Sequence, residues 1–166
     1  NDSTPDSIAG MGELNGLDIM ALCDHNSAKN TPAFFKACER HGIVAVAGME
    51  LTTAEDIHVV CLFKSPEDAL LFEKELESFK IPYKNKEEIF GNQLICDEND
   101  EIIGKEENLL INATMLSLEE VPPICERFGG ICYPAHIDRE SNGVIAVLGS
   151  FPIDPHFELA ELHDKD

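Results

Sequence analysis

The sequence predicts an α/β protein whose strands are buried and mostly parallel. Short aliphatic runs, typical of strands covered on both faces, recur along the chain, and segments with helical spacing separate them. Proline follows Thr or Ser at the start of several of these segments, as at a helix N-terminus. Polar residues follow the apolar strands, namely His25, Glu50 and His136. Because barrels of this class carry functional residues at the carboxyl ends of their strands, we expect a barrel-like sheet rather than an open one.

Strands and helices alternate regularly through the first half of the chain. Thr4-Pro5 forms an N-cap with proline at the first helical position, and Gly16 ends that helix. The pair Thr31-Pro32 repeats this start signal, and the second helix ends at His41-Gly42, where a protonated histidine favours the helix dipole. The predicted strands cover residues 17–22, 43–47 and 58–63, and the predicted helices cover residues 4–16, 31–42 and 65–80.

Residues 81–114 interrupt this alternation and are predicted to form a peripheral insertion. Within it, residues 93–96 and 101–103 resemble a β-hairpin around the acidic turn at residues 97–100. This turn lacks the full pattern of a calcium loop, so we expect a solvated turn. After the insertion, Ser117 and Glu120 form a capping box for a helix that ends at Gly129-Gly130. Two further strands are predicted over residues 131–135 and 157–162.

Charge and composition exclude several classes of function. The 166 residues include 32 acidic and 12 basic side chains, which give a formal net charge of −20. Such a surface repels duplex nucleic acid and anionic membranes, because both are bound mainly through Lys and Arg. Hydrophobic residues make up 43% of the chain, enough for the core of one domain over residues 1–166. No apolar run approaches the roughly 20 residues that a membrane span requires.

The cysteines and the first residues favour a cytoplasmic location. None of the six cysteines forms a Cys-x-x-Cys pair, and Cys23, Cys61 and Cys132 lie in apolar runs. We therefore expect reduced thiols in the core, as in a reducing compartment. Residues 1–8 are polar and acidic, without the basic start and apolar centre of a secretory signal.

Four residues are predicted to converge on one edge of the sheet. His58 begins its strand rather than following it, but only seven residues separate it from Glu50. A parallel crossover needs a dozen or more residues, so these two strands are expected to run antiparallel or to meet at an angle, and either arrangement brings His58 beside Glu50. Imidazole and carboxylate groups together suit Zn²⁺, Mn²⁺ or Fe²⁺. We therefore predict that His25, Glu50, His58 and His136 are metal ligands.

Plainer roles are open for three of these residues. His25 fits a loop position, Glu50 fits a cap for the next segment, and His58 fits a sheet residue packed beside Val60. Lys29, near His25, suits either anion binding or an ordinary surface position.

Three separated motifs carry a family resemblance that spans most of the chain. The chain resembles the polymerase and histidinol phosphatase (PHP) family in residues 17–27, at Gly48-Met49-Glu50 with His58, and at Pro134-Ala135-His136-Ile137-Asp138-Arg139. The resemblance implies a distorted, seven-stranded α/β barrel that hydrolyses phosphoesters with two or three divalent metal ions.

The resemblance also implies roles for single residues. His25 matches the histidine of the second motif, Glu50 matches the carboxylate that bridges metals, and His58 and His136 match histidines that complete one metal's ligand set. Asp24, adjacent to His25, is expected to orient the site from behind the ligands. Arg139, close behind His136, suits a clamp on a substrate phosphate. On the surface it would instead pair with a neighbouring carboxylate, which contributes little.

The chain departs from the family pattern at both ends. Members of the family open with a His-x-His pair and close with an Asp-x-His pair, and neither is present in the sequence. We therefore expect this domain to be incomplete at both ends.

Together these observations predict a metal-dependent phosphoesterase. It would hydrolyse a small phosphomonoester, a nucleotide phosphate or the end of a short oligonucleotide through a metal-activated water, with Mn, Zn or Fe as cofactor. The alternatives are a non-catalytic or degenerate PHP-like module that binds metal or a partner, and a hydrolase of amides or non-phosphate esters with the same ligands. The non-phosphate part of the substrate and the oligomeric state are left open.

Overall fold

Residues 3–164 are described by a computed structural model, in which helices cover one face of a four-stranded sheet. The elements in chain order are α1 (Pro5–Leu14), β1 (Ile19–His25), α2 (Thr31–Arg40), β2 (Val44–Thr52), β3 (His58–Phe63), α3 (Pro66–Leu76), α4 (Glu87–Phe90), β4 (Leu94–Cys96), β5 (Ile102–Lys105), a 3₁₀ helix (Leu118–Glu120), α5 (Val121–Arg127), β6 (Ile131–Pro134) and α6 (Val144–Leu148). The start signals predicted from Thr4, Thr31, Ser65 and Ser117 all lie at or next to the start of a helix.

The sheet has the strand order β1-β2-β3-β6. β1 and β2 are parallel, whereas β3 runs antiparallel to both β2 and β6. In this register His25 lies opposite Glu50, and Thr52 lies opposite His58. The start of β3 therefore lies at the same edge as the carboxyl ends of its neighbours, as predicted from the short link between them.

The core lies between the sheet and the helices. Alternate residues of β2 and β3 point into it, among them Met49 and Val59, which are fully buried. Phe72 of α3 packs against Phe63 of β3, with ring centroids 5.0 Å apart. The opposite face is more open, since Ile19 is 61% exposed. The helices thus bury one face of the sheet and set the direction of the strands.

The insertion leaves and rejoins the domain at one point. There the Met115 N–H donates a 2.8 Å hydrogen bond to the Phe79 carbonyl. Between these residues β4 and β5 form the predicted hairpin. Its turn is present but not merely solvated, because the Asp100 carboxylate accepts hydrogen bonds from the Thr4 hydroxyl (2.6 Å) and the Asp6 N–H (3.0 Å). Asp100 therefore accepts a hydrogen bond from a backbone N–H at the amino-terminal end of α1 that has no partner within the helix.

The α/β class is confirmed, but the prediction of mostly parallel strands is wrong, because only β1 and β2 pair in parallel among the described strands. The described residues form an open sheet and no closed barrel. The strand predicted over residues 157–162 is wrong. Phe157 is buried and Glu161 exchanges backbone hydrogen bonds with Pro134 and Ile137, yet no ladder forms. The apolar side chains of this segment do not all pack against another surface, since Leu159 is 53% exposed. The short helices α4 and α6 were not predicted.

The described residues contain six free cysteines, in agreement with the predicted thiols. Four are buried, while Cys23 and Cys132 are half-buried. None of the helices between residues 3 and 164 has the length and hydropathy needed to cross a bilayer.

Candidate metal centre

The four predicted ligands come together at one edge of the sheet. His25 is the last residue of β1, Glu50 lies near the end of β2, and His58 is the first residue of β3. His136 follows β6 in a left-handed conformation, with φ of 29°, that turns the chain away from the strand. Gly143 makes this turn possible, because a Cβ there would lie 2.4 Å from the Arg139 carbonyl oxygen.

Glu50 is the centre of this arrangement. Its Oε2 lies 3.3 Å from His25 Nδ1, and its Oε1 lies 3.3 Å from His58 Nδ1 and 3.4 Å from His136 Nε2. The two histidine nitrogens that face Oε1 are themselves 3.1 Å apart. Three imidazoles therefore surround one carboxylate.

These distances and donors fit a divalent cation. A tetrahedral site with bonds of about 2.1 Å places its ligand atoms about 3.4 Å apart, close to the spacing around Glu50. The ligand atoms of His25, Glu50 and His58 all lie within 4.8 Å of one another. His25 Nδ1 is buried without a hydrogen bond, since its approach to Glu50 has ion-pair distance but not hydrogen-bond geometry. Such an unpaired buried nitrogen is explained if a cation occupies the site.

The protonation of the site also suits a cation. Burial raises the pKa of Glu50, but the hydrogen bond from His58 and the nearby imidazoles outweigh it and bring that pKa below its usual value. Burial lowers the pKa of His25, against the opposing charge of Glu50. At neutral pH the carboxylate is therefore ionised and the His25 imidazole is neutral, which are the forms that bind metal.

Asn26, the residue after His25, was missed as a site residue by the sequence analysis. It is 2% exposed and has φ of 48°. Its side-chain amide donates to the carbonyls of Leu110 (2.7 Å) and Asn112 (2.9 Å), while its carbonyl oxygen accepts from the Thr52 N–H (2.9 Å). Its own N–H donates to the Glu50 carbonyl at 3.0 Å. Asn26 thus joins the ends of β1 and β2 to the insertion, and its position directly after His25 at a strand end was the available signal.

Asp24 and Arg139 lie near the centre but outside the group of ligands. Asp24 is half-buried and accepts a 3.1 Å hydrogen bond from Asn30, and burial raises the pKa of its carboxyl against that hydrogen bond. Arg139 is exposed, and within residues 3–164 its guanidinium forms no hydrogen bond or ion pair. The roles predicted for both residues stay predictions.

Lys29 and His41 have partners of their own. Lys29 pairs with Glu106 of the insertion rather than standing free on the surface. His41 is the C-cap of α2 and lies 2.7 Å from Glu13 of α1. It therefore joins two helices in addition to ending one.

No protein-family profile matches this chain, and no curated protein matches it. Three solved structures share its fold. One, assigned as a metal-dependent phosphoesterase from Bifidobacterium adolescentis, is 16% identical with a TM-score of 0.54, over 82% of this chain and 63% of that one. A lesion-specific endonuclease from Pyrococcus furiosus is 15% identical with a TM-score of 0.56, over 95% of this chain and 36% of that one.

The third structure is an amidohydrolase from Chromobacterium violaceum with bound sulfate and no metal. It is 16% identical with a TM-score of 0.54, over 83% of this chain and 63% of that one. The chain therefore spans less than two thirds of the length of each of the three. At these identities the likeness establishes the fold alone, which this chain shares with a metal-dependent phosphoesterase, an endonuclease and an amidohydrolase.

Proposed function

We propose that this protein is a metal-dependent phosphoesterase that hydrolyses a small phosphomonoester or a nucleotide phosphate. The observation that carries the proposal is the convergence of His25, His58 and His136 on the two oxygens of Glu50. The fold shared with a metal-dependent phosphoesterase and an endonuclease supports it. The site and the shared fold both fit a PHP-type barrel, of which this sheet would form one side.

The residues of the site suit this chemistry. His25, Glu50, His58 and His136 would hold two or three ions of Mn, Zn or Fe. Such ions polarise phosphoryl oxygens and lower the pKa of bound water, so that hydroxide is available near neutral pH. Glu50 would be shared between ions, because each of its oxygens faces a different imidazole.

Two further side chains would support the reaction from the edges of the site. Asp24 would orient His25 from behind, and Arg139 would bind the phosphate through its unpaired guanidinium. Lys29, the basic residue close to His25 in sequence, is paired with Glu106, whereas Arg139 is exposed and is three residues from His136. We place the reaction in the cytoplasm, in keeping with the free thiols.

Metal content tests the proposal first. Protein purified without chelator is measured by elemental analysis, together with Glu50→Ala and His136→Ala. Near-stoichiometric Mn, Zn or Fe is expected in the natural protein and a loss of most of it in both variants. His156→Ala, in an exposed loop away from the site, is the control and is expected to keep its metal.

A substrate panel then separates the alternatives. The metal-loaded protein is offered phosphomonoesters, carboxylate esters and amides of matched size. Release of phosphate alone supports a phosphoesterase, while hydrolysis of the amides alone replaces it with an amidohydrolase. A folded protein that binds metal but hydrolyses nothing would leave the non-catalytic module as the explanation.

A further inference from the structure

A cavity of about 300 Å³ opens directly beside the metal centre. Its floor includes Asp24 and His25 from the end of β1. Its opposite wall is formed by the insertion, including Phe90 of α4 and Leu94 of β4. A group in this cavity would therefore touch both a predicted metal ligand and the insertion, and the volume is at the lower end of that of small-molecule sites.

The cavity is held open by hydrogen bonds between the loop after β1 and the insertion. Asn30 donates to the Leu94 carbonyl (3.1 Å) and accepts from the Cys96 N–H (2.9 Å). Asn26 binds the other end of the insertion through the carbonyls of Leu110 and Asn112. Because these side chains are already fully used by the protein, the cavity is formed before any ligand enters.

The walls of the cavity are apolar with a few polar groups and no cation. Phe90 presents an aromatic ring that is 46% exposed, and Ile95 and Leu109 add aliphatic surface. Among the described residues that line the cavity there is no Lys or Arg. Lys29, the basic residue nearest in sequence, is engaged by the lining residue Glu106. Apart from the metal ions proposed at its His25 side, the described lining therefore offers no Lys or Arg to a second anionic group.

The polar groups left free in the cavity include two acceptors, Glu106 Oε2 and the Asn92 amide carbonyl, beside the donors of Ser27 and of the Asn92 amide. Glu106 uses Oε1 for Lys29, and its Oε2 has no hydrogen-bond partner within residues 3–164. The Asn92 side chain likewise makes no hydrogen bond to the described residues. Ser27 accepts from the Lys29 N–H at 3.3 Å and keeps its own hydroxyl proton free. A carboxylate and an amide carbonyl are complementary to hydroxyl donors on a ligand.

We propose that this cavity binds the leaving group of the substrate and selects an uncharged group that carries hydroxyls, such as a nucleoside or a sugar, over one that carries a second phosphate. The inference rests on the proposed function, since it assumes that the phosphate itself lies at the metal centre. Phe90 would stack on the flat or apolar face of the group, and Glu106 would accept from its hydroxyls.

Direct binding to the metal-free protein tests the cavity without requiring catalysis. Uridine is titrated into isotopically labelled protein, and shifts of the Asn92 side-chain amide and of Gly91 are followed by NMR. We expect saturable shifts at these residues. Phe90→Ala should weaken uridine binding about ten-fold, the loss of one stacking contact, whereas the exposed neighbour Ile89→Ala should not change it. Uridine 3′,5′-bisphosphate should bind at least about ten-fold more weakly than uridine 5′-phosphate, because its second phosphate would meet Glu106.

A second variant pair isolates the carboxylate. Glu106→Gln is expected to narrow the difference in affinity between uridine 5′-phosphate and uridine 3′,5′-bisphosphate, while Glu107→Gln, exposed and outside the cavity lining, leaves that difference unchanged. Absence of shifts at the cavity, or equal affinity for the monophosphate and the bisphosphate, overturns the proposal.

Turnover separates this inference from the proposed function. With metal present, kcat/KM is compared for uridine 5′-phosphate and methyl phosphate. If the ratio of kcat/KM for uridine 5′-phosphate to kcat/KM for methyl phosphate falls about ten-fold in Phe90→Ala, the cavity binds the leaving group. If uridine binds but neither ester is hydrolysed, the proposed function fails and the binding site stands. If both are hydrolysed equally and uridine does not bind, the function stands and the cavity has another role.

Discussion

Replacing Asn26 by alanine tests whether this residue holds the ends of β1 and β2 to the insertion. The substitution removes three side-chain hydrogen bonds, to the Leu110 and Asn112 carbonyls and from the Thr52 N–H. It also places alanine, which has no polar side chain to stabilise a left-handed backbone, at a position whose φ is 48°. Both effects act at a buried position next to His25.

The expected loss of unfolding free energy is large for a single residue. Three hydrogen bonds at about 1 kcal/mol each give about 3 kcal/mol. A left-handed conformation costs alanine about 1 kcal/mol more than asparagine, so the total is about 4 kcal/mol. A domain of this size is stable by about 5–15 kcal/mol, so the variant would lie close to the unfolding threshold.

Asn142 provides a matched control within the same chain. It also has positive φ, 60°, but it is only half-buried and makes one side-chain hydrogen bond, an exposed one of 3.0 Å to the Asp56 carbonyl. Asn142→Ala should therefore cost about 1.5 kcal/mol, the same backbone strain and part of one exposed hydrogen bond. Asn26→Gly removes the bonds without the strain and should cost about 3 kcal/mol.

Urea unfolding followed by circular dichroism measures these differences, and hydrogen exchange at the Thr52 amide reports the local effect. Asn26→Ala should be about 2.5 kcal/mol less stable than Asn142→Ala. If the two variants agree to within about 0.5 kcal/mol, the buried hydrogen bonds do not hold the insertion and the reasoning is wrong.

Three further predictions concern the core, the helix pair and the turn. Phe72→Ala should lower the unfolding free energy by about 3–5 kcal/mol in urea, because it empties the centre of the core. The hydrogen bond that protonated His41 donates to the Glu13 carboxylate raises the pKa of His41, so the stabilisation is complete below the unfolded pKa and disappears as pH rises through the folded pKa. His41→Gln should therefore reduce the melting temperature near pH 5.5 but scarcely near pH 9, with about 6.5 as the unfolded pKa. Gly143→Ala should cost about 1–3 kcal/mol, because the added Cβ meets the Arg139 carbonyl oxygen.

Each of these three has a control at a comparable site. Leu71→Ala removes an exposed aliphatic side chain from the same helix and should cost less than about 1 kcal/mol. His156→Gln should give the same change of melting temperature at both pH values. Gly104→Ala adds a Cβ at 3.6 Å from its nearest neighbour, an ordinary contact, and should be tolerated. If a control variant changes the unfolding free energy or the melting temperature as much as its test variant does, the corresponding explanation is wrong.

Local signals in the sequence predicted much of the sheet and of the site. The short link before His58 was enough to predict an antiparallel β3, because chain length limits how a strand can return. That inference brought His58 to the same edge as His25 and Glu50, and the structure places their ligand atoms together. The strand ends were less accurate, since β2 continues through Glu50 to Thr52.

Features that depend on distant contacts could not be predicted. Asn26 resembles an ordinary turn residue until the carbonyls of Leu110 and Asn112 are brought to it, more than eighty residues along the chain. Residues 157–162 have a strand-like pattern, but only Glu161 bonds to the end of β6. Hydrophobic alternation indicates which side of a segment could be buried, and it does not reveal whether a partner surface exists.

The single entry and exit point of the insertion has a consequence for how this protein can diversify. Phe79 and Met115 are joined by one backbone hydrogen bond, so the two ends of the insertion leave the domain side by side. An insertion of another length or sequence could be attached at the same two residues without altering the strands that carry His25, Glu50 and His58, provided that it keeps the carbonyls that Asn26 binds. The predicted metal ligands and most of the cavity wall therefore lie in separate stretches of the chain, and the wall can change while the ligands are retained.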